Sequence, residues 1–265
     1  MKENDLAFIF SIFGIFALIF SLIALLPQNY DELGNLPDLS VYVNPQSFPF
    51  GNLTGVPNVQ LEHGLVLWLP FDGVNKDKSG YVNSVTSYGS PVYGSGWFER
   101  GLVFDGVNDY VDCGNSLVLD LSGNYSFAFW INGTTSLYSN AGGILARSEV
   151  AGNSFFVNVQ ARATYFNVRL ERVAVVIDSD YKLYANNYYF VVMTFNGSYL
   201  NFYFNGIFSQ GFSSSSLALV TVPLNVGRRA YSPYETYLNA TLDDVRVYNR
   251  CLSAVEIMSL FNLPN

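Results

Sequence analysis

From Gly64 to the end, the chain is a succession of short apolar runs broken by Gly, Asn and Asp. In YSFAFWI (125–131), Tyr125, Phe127, Phe129 and Ile131 fall on one side of an extended chain. Leu200, Phe202 and Phe204 do the same in YLNFYFN (199–205). That period of two predicts half-buried strands. Further runs predict strands at 65–71, 101–105, 110–113, 142–148, 155–160, 165–171, 188–196, 223–228 and 241–249. Asp72-Gly73, Asp105-Gly106, Asn196-Gly197 and Asn205-Gly206 supply the residues that tight turns with positive φ require. The string FDGVN occurs at 71–75 and again at 104–108, which reads as a recurring turn. One helix is predicted, at the end: Ser253 and Glu256 have capping-box spacing and precede an apolar stretch to Phe261. Many short strands at close spacing predict an antiparallel β-sandwich.

The stretch Leu242–Leu252, LDDVRVYNRCL, reads as the last strand. Strict alternation puts Val245 and Val247 on one face and Asp244, Arg246 and Tyr248 on the other. Asp243 then shares the valine face. A carboxylate among core residues costs several kcal/mol unless a cation or a set of backbone amides satisfies it. Both answers stand at this point.

The N-terminal quarter follows another pattern. After a short tail at 1–5, residues 6–26 run 21 positions without a charge. At about 1.5 Å per residue they match the roughly 30 Å core of a bilayer, and they exceed the apolar region of a cleaved signal peptide. This predicts a transmembrane helix. Lys2 precedes it, while Asp31, Glu32, Asp38 and Glu62 come before the next basic residue, Lys76, so the N-terminus is expected inside and the β domain outside. Prolines 27, 37, 45, 49 and 57 predict an extended stalk over 27–62, with the sandwich at 63–265.

Composition narrows the function. Charged residues are 13%, aromatics 17%, and net charge is −8. The longest basic cluster is Arg228-Arg229, too little for nucleic acid. The one histidine, His63, stands at the end of the stalk, away from any nucleophile of the domain. The glutamates are isolated, and adjacent Asp243 and Asp244 point to opposite faces, so paired acid–base catalysis has no candidates and the chain is expected not to be an enzyme. Cys113 and Cys251 have two readings, a disulfide joining the ends of an exported sandwich or two free thiols acting as small apolar groups. Glycosylation sequons occur at Asn52, Asn124, Asn132, Asn196 and Asn239.

Six motifs occur in order: GLVLWLPFDG, DKSG (77–80), GLVFDGVNDYVDCG (101–114), YSFAFWIN (125–132), YYFVVMTFNGSYLNFYFNG (188–206) and LDDVRVYNRCLSAVEI (242–257). Over about Leu65–Phe261 the chain thereby resembles the concanavalin A-like, laminin G-like jelly-roll superfamily. The resemblance implies an all-β jelly roll with a short C-terminal helix. It also implies a structural calcium on Asp77, the carbonyl near Gly80, and Asp243, although Tyr81 stands where relatives commonly have Asn. The superfamily includes lectins, adhesion modules and structural proteins. The expectation is a membrane-anchored, exported lectin-like or adhesion domain with a glycan or protein partner, using Tyr231, Tyr234 and Tyr237 as stacking faces. The alternative is a structural membrane subunit of a virion envelope or cell-surface assembly, packing against its own copies or other subunits.

Overall fold

The computed structural model describes residues 61–138, 142–147, 155–172, 175–217, 222–229 and 235–263. The expected tail, membrane helix and nearly all of the stalk lie outside them, as do Asn52, Tyr231 and Tyr234. Among the described residues, no helix is long and apolar enough to cross a membrane.

The strands are β1 (Leu65–Leu69), β2 (Thr86–Tyr88), β3 (Val92–Ser95), β4 (Arg100–Asp105), β5 (Tyr110–Asp112), β6 (Tyr125–Gly133), β7 (Gly142–Arg147), β8 (Phe155–Ala161) and β9 (Phe166–Arg172). They continue with β10 (Val175–Asp178), β11 (Tyr188–Phe195), β12 (Tyr199–Phe204), β13 (Ile207–Ser213), β14 (Asn225–Val226), β15 (Arg228–Arg229), β16 (Thr236–Tyr237) and β17 (Asn239–Tyr248). Helix α1 (Ala254–Phe261) closes the chain. An eight-stranded sheet has the order β13-β12-β11-β6-β17-β4-β3, with β1 also paired to β17. A seven-stranded sheet has the order β10-β9-β8-β7-β14-β5-β2, and β15 pairs with β16. All the pairings are antiparallel.

The expected alternation holds in β6 and β12. Tyr125, Phe127, Phe129, Ile131, Leu200, Phe202 and Phe204 all enter the core between the sheets, and Phe127 meets Phe155 of the opposite sheet at 5.7 Å. The Asn205-Gly206 turn has φ of 51° and 80°, and Gly73 and Gly106 adopt the same positive φ in the two FDGVN turns. At α1 the capping box is complete. Ser253 Oγ accepts from the Glu256 backbone, and Glu256 Oε2 accepts from Ser253 N at 2.8 Å. Arg250 reinforces it with an ion pair to Glu256 at 2.6 Å.

The last strand is present, as expected, and lies inside the eight-stranded sheet, but its phase differs from strict alternation. Asp244 has φ +48°, and the pairing of β17 with β6 shifts register between Asp243 and Arg246. One extra residue inserted into a strand displaces the alternation beyond it. Leu242 and Val245, three apart, therefore both enter the core, with Val247. Asp243 lies opposite Trp130, whose ring belongs to a second apolar cluster on the outer face of the eight-stranded sheet. Asp243 is thus on the face opposite the valines.

That second cluster is built on Trp130. Trp97 stacks on it at 4.0 Å, Phe98 meets it edge-on at 6.1 Å, and Phe190 and Phe261 of α1 close the other sides at 5.1 and 5.6 Å. Trp130→Ala should lower the unfolding free energy by about 3–5 kcal/mol, through lost burial and an unfilled cavity. Urea denaturation measures this; a loss below about 1 kcal/mol would mean the cluster carries little of the stability.

Candidate functional site

Because Phe155, Val157 and Val159 fill the core, Phe156, Asn158 and Gln160 face outward from the seven-stranded sheet. Register places Phe156 opposite Glu171 and Asn158 opposite Arg169. Glu171 accepts from Arg229 Nη2 at 2.8 Å and from Asn158 Nδ2 at 3.3 Å, and the Arg229 guanidinium lies 4.4 Å over the Phe156 ring. Arg169 forms a two-pronged pair with Asp178, Nη2 to Oδ2 being 2.9 Å. Gly143 makes the crossing of β15 feasible. A Cβ there would lie 2.2 Å from the Arg229 nitrogen, so only glycine admits that strand.

Farther along the same face, Tyr88 and Tyr110 are cross-strand partners, stacked at 4.7 Å with their planes 8° apart. The Arg228 guanidinium covers Tyr110 at 3.9 Å. Tyr237, paired with Arg228, places its ring 6.4 Å from Tyr110 and donates its hydroxyl to Glu235 at 2.7 Å. Tyr88 is 45% exposed. The face therefore carries aromatic rings, three guanidiniums and several carboxylate and amide groups. Of the three tyrosines expected to stack, Tyr237 is in this group. Tyr88, Tyr110, Phe156, Glu171, Arg228 and Arg229 escaped sequence reasoning. The faint signal for them was an arginine pair next to a Gly in a turn, set against tyrosines that only register brings together.

The carboxylates expected to share calcium have separate environments. Asp77 is 3% exposed and accepts from Trp68 N, Ser79 N, Ser79 Oγ, Asn83 N and Asn83 Nδ2, at 2.7–3.0 Å. Burial pushes its carboxyl up, but the hydrogen bonds from Trp68, Ser79 and Asn83 outweigh this and hold it below the usual carboxylate range. Gly80 lies on an exposed turn with open space around it. Asp243 is 0% exposed and accepts from Phe98 N at 2.7 Å. Burial, with the charges of Asp244 and Asp72 beside it, pushes its carboxyl up to about 7. It lines a cleft of about 450 Å³ that does not include Asp77. With both Asp77 oxygens engaged by the chain itself, Asp77, Gly80 and Asp243 do not fit a shared calcium. Among the described residues, no three acidic, histidine or cysteine side chains form a metal-holding group.

Cys113 and Cys251 are free thiols, so the disulfide reading gives way to the other. Cys113 is part of the core between the sheets, where burial pushes its thiol up, whereas Cys251 follows β17 and is half-buried. Of the described sequons, Asn124 and Asn196 are exposed. Asn132 and Asn239 are half-buried in strands, and the Asn239 amide is committed to Thr134 and Asp105.

The family model described as the Concanavalin A-like lectin/glucanases superfamily matches residues 105–258. The chain belongs to that superfamily. No curated protein matches its sequence. Among solved structures it is similar to domain 4 of AbnA, an extracellular arabinanase from Geobacillus stearothermophilus, in complex with arabinotriose. The TM-score is 0.60 at 13% identity, covering 75% of this chain and 98% of that one. It is also similar to the receptor-binding domain of the botulinum neurotoxin C/D mosaic serotype, with TM-score 0.60, 18% identity, and 76% and 51% of the two chains covered. The botulinum neurotoxin DC binding domain in complex with SialylT gives TM-score 0.58 and 14% identity, over 76% and 52%. The chain spans about half the length of those toxin domains. These likenesses establish the fold. The superfamily match takes in Tyr110, Arg228, Arg229 and Tyr237 as well as Asp243.

The two aspartates give opposite pH dependences. Asp77, depressed, contributes stability above its ordinary 3.8 that is lost as pH falls through its lower folded value. Asp243, raised, contributes most when protonated, below 3.8, and that contribution disappears as pH rises through about 7. Thermal melts of Asp243→Asn should accordingly lose part of the wild-type decline between about pH 4 and pH 7, and Asp77→Asn should weaken the protein most near neutrality. A wild-type profile unchanged by Asp243→Asn would refute the assignment.

Proposed function

We propose that the chain is a non-catalytic lectin-like module that binds glycan on the outer face of its seven-stranded sheet. The observation that carries this reading is the Tyr88–Tyr110 stack capped by Arg228, beside Arg229 on Phe156. The Tyr88 ring, 45% exposed and backed by Tyr110 and Arg228, offers a sugar C–H face an apolar contact. The surrounding guanidinium, amide and carboxylate groups supply donors and acceptors for hydroxyls. Glu171 is occupied by Arg229 and Asn158, and Glu235 by Tyr237, so neither stands as a free acid or base, which favours binding over hydrolysis. Related folds in complex with arabinotriose and with SialylT add support for a saccharide ligand.

The uncharged 6–26 segment supports a module anchored in a membrane, with the sandwich exported on its stalk. Glycan-array binding of the full chain in detergent tests the reading. One saccharide class should be retained, and Tyr110→Ala should weaken its binding about tenfold or more. Absence of any glycan binding, or equal binding by Tyr110→Ala, contradicts it.

A further inference from the structure

The cleft beside Asp243 lies on the other sheet and is not used by that reading. Its walls are apolar, formed by Leu61, Leu65, Pro70 and Leu263 together with Trp68 and Phe98. Its polar lining is acidic, with Glu62, Asp72, Glu99, Asp243 and Asp244 against a single guanidinium, Arg246. That guanidinium is already committed: it pairs with Asp244 at 3.1 Å and covers the Trp68 ring at 4.5 Å. Asp244 also accepts from Trp68 Nε1 at 2.6 Å. Asp243 differs. It is 0% exposed, its Oδ2 accepts from Phe98 N, and its Oδ1 has no hydrogen-bond partner among the described residues. A buried carboxylate oxygen without a donor is costly, and a donor brought by a ligand relieves that cost.

We propose that this cleft binds an alkylammonium group, its N–H donors directed at Asp243 Oδ1 and its stem lying along Trp68 and Phe98. The volume, about 450 Å³, falls among small-molecule sites. A divalent metal requires several oxygens converging at about 2.0–2.6 Å, and the acidic side chains of the described residues form no such group. An ammonium has three rotatable donors and a stem that gains from apolar walls, so it suits carboxylates that are spread apart among aromatic rings. Asp72 and Glu99, both exposed, supply the long-range attraction at the rim.

Trp68 lines the cleft, and Trp97 and Trp130 are its neighbours in the same apolar cluster, so intrinsic fluorescence of the full chain reports on it. Titration with n-pentylammonium should give a saturable change that n-pentanol does not, and Nα-acetyl-lysine amide should reproduce it if the source is a lysine side chain rather than a free amine. Asp243→Asn keeps an acceptor for Phe98 N and should weaken binding about tenfold. Asp72→Asn, at the exposed rim, should weaken it less, and Tyr110→Ala on the other sheet should leave it unchanged. The proposal fails if n-pentanol matches the amine, if Asp243→Asn binds as the wild type does, if no response saturates, or if calcium responds where the amine does not.

Discussion

The left-handed residue in the middle of β17 fixes the arrangement of the eight-stranded sheet. A non-glycine residue with φ near +48° costs about 1–2 kcal/mol in backbone energy. Here that strain is offset by the hydrogen bonds Asp244 accepts from Trp68 Nε1 and Arg246 Nε. The displaced alternation keeps Leu242, Val245 and Val247 in the core while turning Asp243 outward toward Trp130. Asp243 then holds Phe98 N and with it the hairpin between β3 and β4, whose Trp97 covers Trp130. Gly96 in that hairpin has no room for a side chain, since a Cβ would fall 2.6 Å from Asp243 Oδ2. One bulge therefore sets the core, the aromatic cover and the acidic cleft together.

The two outer faces differ in what the described residues place over them. Helix α1, Trp97 and Phe98 close the eight-stranded sheet over Trp130, leaving the Asp243 cleft at the margin of that cover. On the seven-stranded sheet, outward positions carry Tyr88, Tyr110, Asn158, Arg169 and Glu171, a row of polar and aromatic groups cross-linked by ion pairs. Its carboxylates are largely paired within the face, while Asn158 Oδ1 and Arg228 Nε have no hydrogen-bond partner among the described residues. A ligand there adds ring contacts and exchanges hydrogen bonds with water, so recognition through shape and stacking is the physically economical mode.

Much of the fold was legible because it rests on local rules. Alternation in β6 and β12, the Asn205-Gly206 turn and the Ser253–Glu256 cap each act within a few residues. β2 and β13 were missed because TSY and IFSQGFS are edge segments exposed along most of their length, so burial imposes no alternation on them. The site was less legible. Asp243 and Asp244 obey simple alternation on paper, and a bulge leaves no mark in composition. Asp77 reads as a ligand from its motif, yet its own loop and β1 saturate it. Tyr88 and Tyr110, or Arg229 and Glu171, meet only through sheet register, which spacing along the chain does not encode.

The central claim, that the outer face of the seven-stranded sheet is where glycan binds, is tested most directly by NMR of the side chains that form it. With a saccharide that the protein retains, the Nε–Hε signals of Arg228 and Arg229 and the ring signals of Tyr88 and Tyr110 should shift together on titration, while Trp68 at the acidic cleft stays still. Shifts concentrated at Trp68, or anywhere other than this tyrosine–arginine face, would contradict the account.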